Sequence, residues 1–155
     1  MAEDLQGHGC CPGQTGHHVL PGAMFYNNTN CPKYRDGKTQ SHKNAPTICV
    51  EGTTNSPEWG SHGQLHGKMR DKINEYKKTG IFKFGDHNKI DYDDARDMAI
   101  DAVMETFPES LCKRKCLEKQ LDEHYKEMCK PNILNASSGM GGRQSRPYSS
   151  SSKNK

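Results

Sequence analysis

The sequence predicts an α+β fold in which two short strands are followed by three helices. Three observations carry this prediction. Two short runs, one around Val19 and Leu20 and one at Thr47-Ile48-Cys49-Val50, are each closed by turn formers. From His62 onward apolar residues recur at three- and four-residue spacing, the period of a helix with one buried face. No proline falls between His62 and Phe107, whereas Pro108 and Pro131 stand where helical patterns run out. At 155 residues the chain has the length of one domain.

Residues 1–13 are rich in Gly, short of apolar side chains, and read as an irregular lead-in. Residues 15–20 place Val19 and Leu20 after a His pair and are broken by Pro21-Gly22, a short strand running into a turn. Residues 26–46 show no period and read as a long loop. The second strand follows, bounded by Pro46 and Gly52, and a further loop ends at Ser61, an expected helix N-cap. Leu65, Met69, Ile73 and Tyr76 define the first helix, which Lys78-Thr79-Gly80 is expected to stop. Residues 81–90 are read as a connection. Residues 91–107 are the second helix, opened by acids that suit its positive end. Ser110 is the expected cap of a third, whose stripe is Leu117, Leu121, Tyr125 and Met128. Residues 136–155 contain seven Ser, three Gly and four basic residues without an acid, and read as a disordered tail. The folded domain is therefore placed at 14–135.

Composition limits what such a domain can do. Hydrophobic residues make up 31% of the chain, so its core is expected to be small or helped by cross-links or metal. A large enzyme scaffold is excluded. No window approaches the ~18 consecutive apolar residues of a membrane span, and Met1 is followed by Ala-Glu-Asp rather than a signal region. Export would need a route that reads no amino-terminal signal peptide. Four of the 22 basic groups lie in the tail, leaving 18 in residues 1–135 against 19 acids, so the body is near neutral. Within it, residues 33–83 hold ten basic groups against five acids, and residues 86–109 hold eight acids against Lys89 and Arg96. One face suits a polyanion and another a basic partner.

Seven Cys and eight His are many for this length. The odd Cys count leaves at least one thiol unpaired if the others form disulfides within the chain, and no C-x-x-C occurs. Disulfides, buried free thiols and a structural metal all remain open. Cys112, Cys116 and Cys129 can bond to the Cys10 and Cys11 region and pin the last helix to the front of the domain.

The His pattern is the sharper signal. His62 and His66 lie one helical turn apart, on the same arc as Leu65, Met69 and Ile73, and so point inward. Two imidazoles at that separation can hold one ion, and the doublet His17-His18 on the first strand can supply a third ligand. Adjacent strand residues point to opposite sides, so one of the doublet can bind metal while the other takes a proton from water. Cys49, His62 and His66 match the second half of a two-Cys, two-His zinc finger, but Asn44, Ala45 and Pro46 occupy the positions for its first Cys. A His doublet or an H-x-x-x-H alone is common in proteins where the rings are only hydrogen-bonded; here they occur together and in order.

The ordered set Cys10-Cys11-Pro12-Gly13-Gln14-Thr15-Gly16-His17-His18-Val19-Leu20-Pro21, Asn44-Ala45-Pro46-Thr47-Ile48-Cys49-Val50-Glu51-Gly52 and Gly60-Ser61-His62-Gly63-Gln64-Leu65-His66 resembles the GHH-signature toxin domains of the HNH and endonuclease VII superfamily. These are carboxyl-terminal nuclease domains of bacterial polymorphic toxins, often delivered by type VI secretion. The likeness continues through Asp91-Tyr92 and Ala95-Arg96 to Cys112, Cys116 and Cys129. It implies a ββα-metal (His-Me finger) core with additional carboxyl-terminal helices, hydrolysing nucleic-acid phosphodiesters, read here as those of DNA, with one divalent ion, Mg or Zn. By position, His17, His62 and His66 would bind the metal and His18 would be the general base. Asn44, or failing that Asn55, would orient that base. From their place on or near the metal helix, Lys68, Arg70, Lys72, Lys77 and Lys78 are the candidates to contact flanking phosphates. The resemblance also implies a cognate immunity protein and an amino-terminal carrier domain of the secretion system. It implies action in the cytoplasm of a target bacterium and no membrane partner. The insert between Val50 and His62 is longer than in compact HNH domains, and the zinc-binding C-x-x-C pairs of endonuclease VII are missing. A non-catalytic, metal-stabilised binding module is the competing reading, and an RNase the competing enzyme.

Overall fold

The computed structural model describes residues 10–34, 39–52, 60–129 and 132–138. Their elements run β1 (Gln14–His18), a 3-10 turn (Gly22–Met24), α1 (Gln40–Lys43), β2 (Thr47–Glu51), α2 (Ser61–Phe84), β3 (Lys89–Asp91), α3 (Tyr92–Thr106), α4 (Arg114–Tyr125) and β4 (Ile133–Asn135). Small antiparallel hairpins and longer helices make this an α+β fold, as the sequence predicts. Asn55, most of the lead-in and the tail beyond Ser138 lie outside the described residues. No described helix is long and apolar enough to cross a membrane.

β1 pairs with β2 in antiparallel register, His17 opposite Ile48 and His18 opposite Thr47. Side chains alternate along a strand, so Thr15 and His17 share one face and His18 takes the other. The next element is anchored to the end of β2 by two contacts. A Cβ at Gly60 would stand 2.4 Å from the Glu51 carbonyl oxygen, so only glycine lets the chain pass there at its φ of +146°. Ser61 Oγ then accepts the Glu51 N–H at 3.0 Å. The hydroxyl expected to cap the helix instead ties it to the strand.

α2 does not stop at Lys78-Thr79-Gly80 but continues to Phe84. A glycine inside a helix costs only about 1 kcal/mol relative to alanine and is not by itself a terminator. The stop comes at Gly85, which adopts φ +64°, the left-handed conformation that ends helices. α4 likewise begins later than expected, with Lys113 at its N-cap, because the Ser110 N–H bonds to the Phe107 carbonyl in the turn that closes α3. Three short elements escaped the sequence reading. α1 is one turn inside the supposed loop 26–46, and β3 and β4, three residues each, pair Ile90 with Leu134.

The core lies between α2, α3 and α4 and the segment after β1. Leu65, Met69 and Ile73 of α2, Ile100 of α3, and Leu121 and Tyr125 of α4 are buried against Leu20, Met24 and Phe25. Phe25 stacks on Tyr125 at 4.7 Å. Two disulfides reinforce this small core: Cys10–Cys49 closes the outer edge of the β1–β2 pair, and Cys31–Cys129 ties the chain after β1 to the chain after α4. Their sequence separations of 39 and 98 correspond to about 3 to 5 kcal/mol each in the chain-entropy account.

The cysteine expectation is corrected in part. Cys10 pairs with Cys49 of β2, and the partner of Cys129 is Cys31. Cys11, Cys112 and Cys116 are exposed free thiols. Their neighbour Leu111 is almost fully solvent-exposed, so this segment stands clear of the front of the domain.

Candidate metal centre

β1 and the first two turns of α2 bring three histidines together. His17, His62 and His66 each offer a ring nitrogen, and the three nitrogens lie within 4.8 Å of one another. The ring centroids are 4.7 to 5.2 Å apart. His17 and His62 are buried and His66 is half-buried. The strand places His17 on the face turned to α2, and the four-residue spacing stacks His66 over His62.

The local electrostatics keep these rings neutral at neutral pH. Burial, followed by the neighbouring His66, His62 and His18, holds His17 well below the ordinary imidazole value. Burial also lowers His62. His66 falls to about 4 through burial and the nearby His62, with a hydrogen bond to the Ser138 backbone opposing the shift. Neutral imidazole is the form that carries a lone pair for a metal. The Nδ1 atoms of His17 and His66 are buried with no hydrogen-bond partner among the described residues. An unsatisfied buried nitrogen costs about 1 to 3 kcal/mol. A divalent cation at the meeting point would satisfy both, so the donor set fits such an ion.

The tautomer of His62 is determined by its neighbours. Thr15 Oγ1 donates its single hydrogen to the Gly52 carbonyl at 2.9 Å, so toward His62 Nδ1, 2.7 Å away, it can only accept. His62 therefore carries its proton on Nδ1 and its lone pair on Nε2. Thr15 was missed in the sequence, although its place two residues before His17 on one strand face was a usable signal.

His18 turns the other way. Its Nε2 donates to the backbone carbonyl of His42 at 3.0 Å, and the two rings lie 4.2 Å apart. In the neutral ring the basic nitrogen is then Nδ1. Asn44 sits exposed in the turn after α1. The His42 carbonyl that meets His18 lies two residues before Asn44. His42 is buried, its Nδ1 within 2.9 Å of the Tyr26 hydroxyl and 3.1 Å of the Tyr34 hydroxyl. A Cβ at Gly22 would lie 2.3 Å from that Tyr26 oxygen, so the cluster closes over a glycine. No sequence signal marked His42, because a single helical turn leaves no periodic trace.

The basic residues of α2 separate into two sets. Lys72 pairs with Glu105 of α3 at 2.7 Å, with Lys68 also 3.9 Å from that carboxylate, on the side of α2 away from the His pair. Arg70 lies one turn beyond His66 on the same face and contacts Asp71 at 3.3 Å. The acidic segment 86–109 is less open than its composition implies. Asp93 and Asp97 pair with Arg96, Asp101 with Arg114, and Glu105 with the two lysines. His87 and His124 stand apart from the cluster, bonded to the backbone carbonyls of Lys77 and Ser41.

The sequence model of the family described as GHH signature containing HNH/Endo VII superfamily nuclease toxin 2 matches residues 14–125. The DNase toxin Tse7 of Pseudomonas aeruginosa is 27% identical over 132 residues, which covers 76% of this chain and 32% of that protein. The chain thus spans about a third of the length of this curated relative. No solved structure matches.

Proposed function

The chain belongs to the GHH-signature nuclease toxins of the HNH and endonuclease VII superfamily, and on that premise we propose that it is a metal-dependent endonuclease that hydrolyses DNA. The ββα-metal core would consist of β1, β2 and the first turns of α2, within a domain of residues 14–135. His17, His62 and His66 would hold one divalent ion, Mg or Zn. The observation that carries this reading is the convergence of three neutral imidazoles, two of them with orphaned buried nitrogens. The family, and the DNase name of the relative from Pseudomonas aeruginosa, support the substrate class.

A phosphodiester resists hydrolysis because the nucleophile meets a negative group and the leaving alkoxide is poor. The bound ion would supply a Lewis acid beside the scissile phosphate. The protein groups do the rest. His18, with Nε2–H given to the His42 carbonyl, presents Nδ1 as the base that takes a proton from the attacking water. Asn44 is proposed to orient His18, as the resemblance implies, while the His42 carbonyl holds the Nε2–H of the same ring. Thr15 keeps the Nε2 lone pair of His62 available. Arg70 shares the His66 face of α2, whereas Lys68 and Lys72 turn to Glu105 on another side, so Arg70 is proposed as a phosphate contact beside the metal centre.

The competing reading, a structural metal in a binding module, calls for four protein ligands. Among the described residues the cluster has three, which supports a catalytic site with room for water and substrate. As a toxin, the protein would be carried by an amino-terminal domain of a secretion system. It would act in the cytoplasm of a target bacterium and be neutralised in its producer by an immunity protein. Incubation of the purified protein with plasmid DNA and, separately, with RNA tests the reading. DNA should be cut only with divalent metal and not in chelator. Cleavage of RNA alone, or metal-independent cleavage, would overturn it.

A further inference from the structure

Beyond the His cluster, α2 and the β3–β4 hairpin enclose a polar cavity of about 380 Å³. Lys77 of α2 and Lys89 of β3 line it, with Asn74, Asn88 and Ser138. Asp86 is its one acidic lining residue, and Asp86 Oδ1 accepts the Asn88 N–H at 2.8 Å.

Two features make this cavity more than a surface hollow. The first is its place on α2, the helix that carries two of the three histidines. Along α2, His66, Arg70, Asn74 and Lys77 follow at spacings of four, four and three, and so share one helix face. From His66 to Lys77 that face runs about 16 Å, the axial rise of about five base pairs. The second is charge. Lys68 and Lys72 pair with Glu105, Arg70 with Asp71, and Lys78 with Glu75. Lys77 and Lys89, from two separate elements, have no acidic partner among the described residues. Two ammonium groups at one polar cavity, flanked by amide and hydroxyl groups, suit a phosphate and its sugar.

We propose that this cavity binds the backbone of the DNA strand flanking the scissile bond, with Lys77 and Lys89 contacting its phosphates, so that the strand runs along α2 to the histidines. The inference rests on the nuclease reading for its substrate but can be tested without turnover. Binding of a short fluorescein-labelled DNA duplex is followed by anisotropy in chelator, over a range of salt. In the double variant Lys77→Met, Lys89→Met, which keeps the aliphatic stems, affinity at about 0.1 M salt should fall about tenfold, and the slope of log K against log salt should become shallower by about two. The Lys77→Arg, Lys89→Arg variant should retain binding, as should Lys78→Ala, whose charge lies outside the cavity. Wild-type affinity and salt slope in a folded Met variant, or an equal loss in Lys78→Ala, would overturn the proposal. A wild-type protein that binds DNA through Lys77 and Lys89 but cleaves nothing with metal would leave this site standing and remove the nuclease reading.

Discussion

Thr15 and His62 share a hydrogen bond of 2.7 Å whose direction is imposed from outside, because the threonine hydroxyl gives its own hydrogen to the Gly52 carbonyl. One hydroxyl on β1 thereby determines which nitrogen of an α2 histidine is left for a metal. Replacing it with Thr15→Val keeps the shape and removes the acceptor. Metal affinity, measured by titration calorimetry, should fall about 10- to 100-fold, and Thr15→Ser should restore most of it. Equal affinities in the valine variant and the wild type would show that the bond does not orient a ligand.

The two histidines of the doublet should separate cleanly. His18→Ala is expected to abolish cleavage while binding metal with near wild-type stoichiometry, since His18 lies on the strand face opposite His17 and bonds to the His42 carbonyl. His17→Ala, His62→Ala and His66→Ala should each lose the metal and, with it, the metal-dependent rise in melting temperature. Loss of metal in His18→Ala would mean that the doublet's roles are exchanged.

Stability of the chelated protein should depend on pH in a defined window. Burial lowers the folded pKa values of His17, His62 and His66, the last to about 4, below the ~6.5 of an unfolded histidine. The unfolded chain therefore binds more protons between those values. The associated stability is complete above pH ~6.5 and is lost as pH falls toward 4. Urea titrations at pH 7, 5.5 and 4 should show this decline, reduced in His66→Ala and moved to lower pH by added metal. A denaturation midpoint independent of pH in the chelated protein would contradict the neutral cluster.

The cysteines give a prediction that needs no activity. Native protein should react with a thiol reagent at three sites, Cys11, Cys112 and Cys116, and at seven after reduction under denaturing conditions. Cys31→Ser with Cys129→Ser should destabilise the fold by about 3 to 5 kcal/mol. One reactive thiol in the native state would point to a third disulfide.

Local periodicity and chemistry made much of this protein legible in its sequence. Two strands before a helix, the inward face of His62 and His66, and the opposed directions of His17 and His18 all follow from the repeats of strand and helix. The family resemblance was equally readable, because it rests on residue types in order. Contacts between residues far apart in the chain carry no such local trace. Thr15 meets His62 across 47 positions, and His42 meets His18 across 24. Cys31 finds Cys129 across 98, a pairing that spacing alone could not choose from seven cysteines. β3 and β4 are too short to show a period and form only because each supplies the other's hydrogen bonds. α2 carries Lys77 to a cavity closed on its other side by the hairpin, a neighbour that no local pattern in the sequence announces. The sequence alone determined the chemistry available and the order in which it is strung. Tertiary packing decided which oxygen orients which ring, since those partners are backbone carbonyls and a hydroxyl whose direction depends on the whole fold.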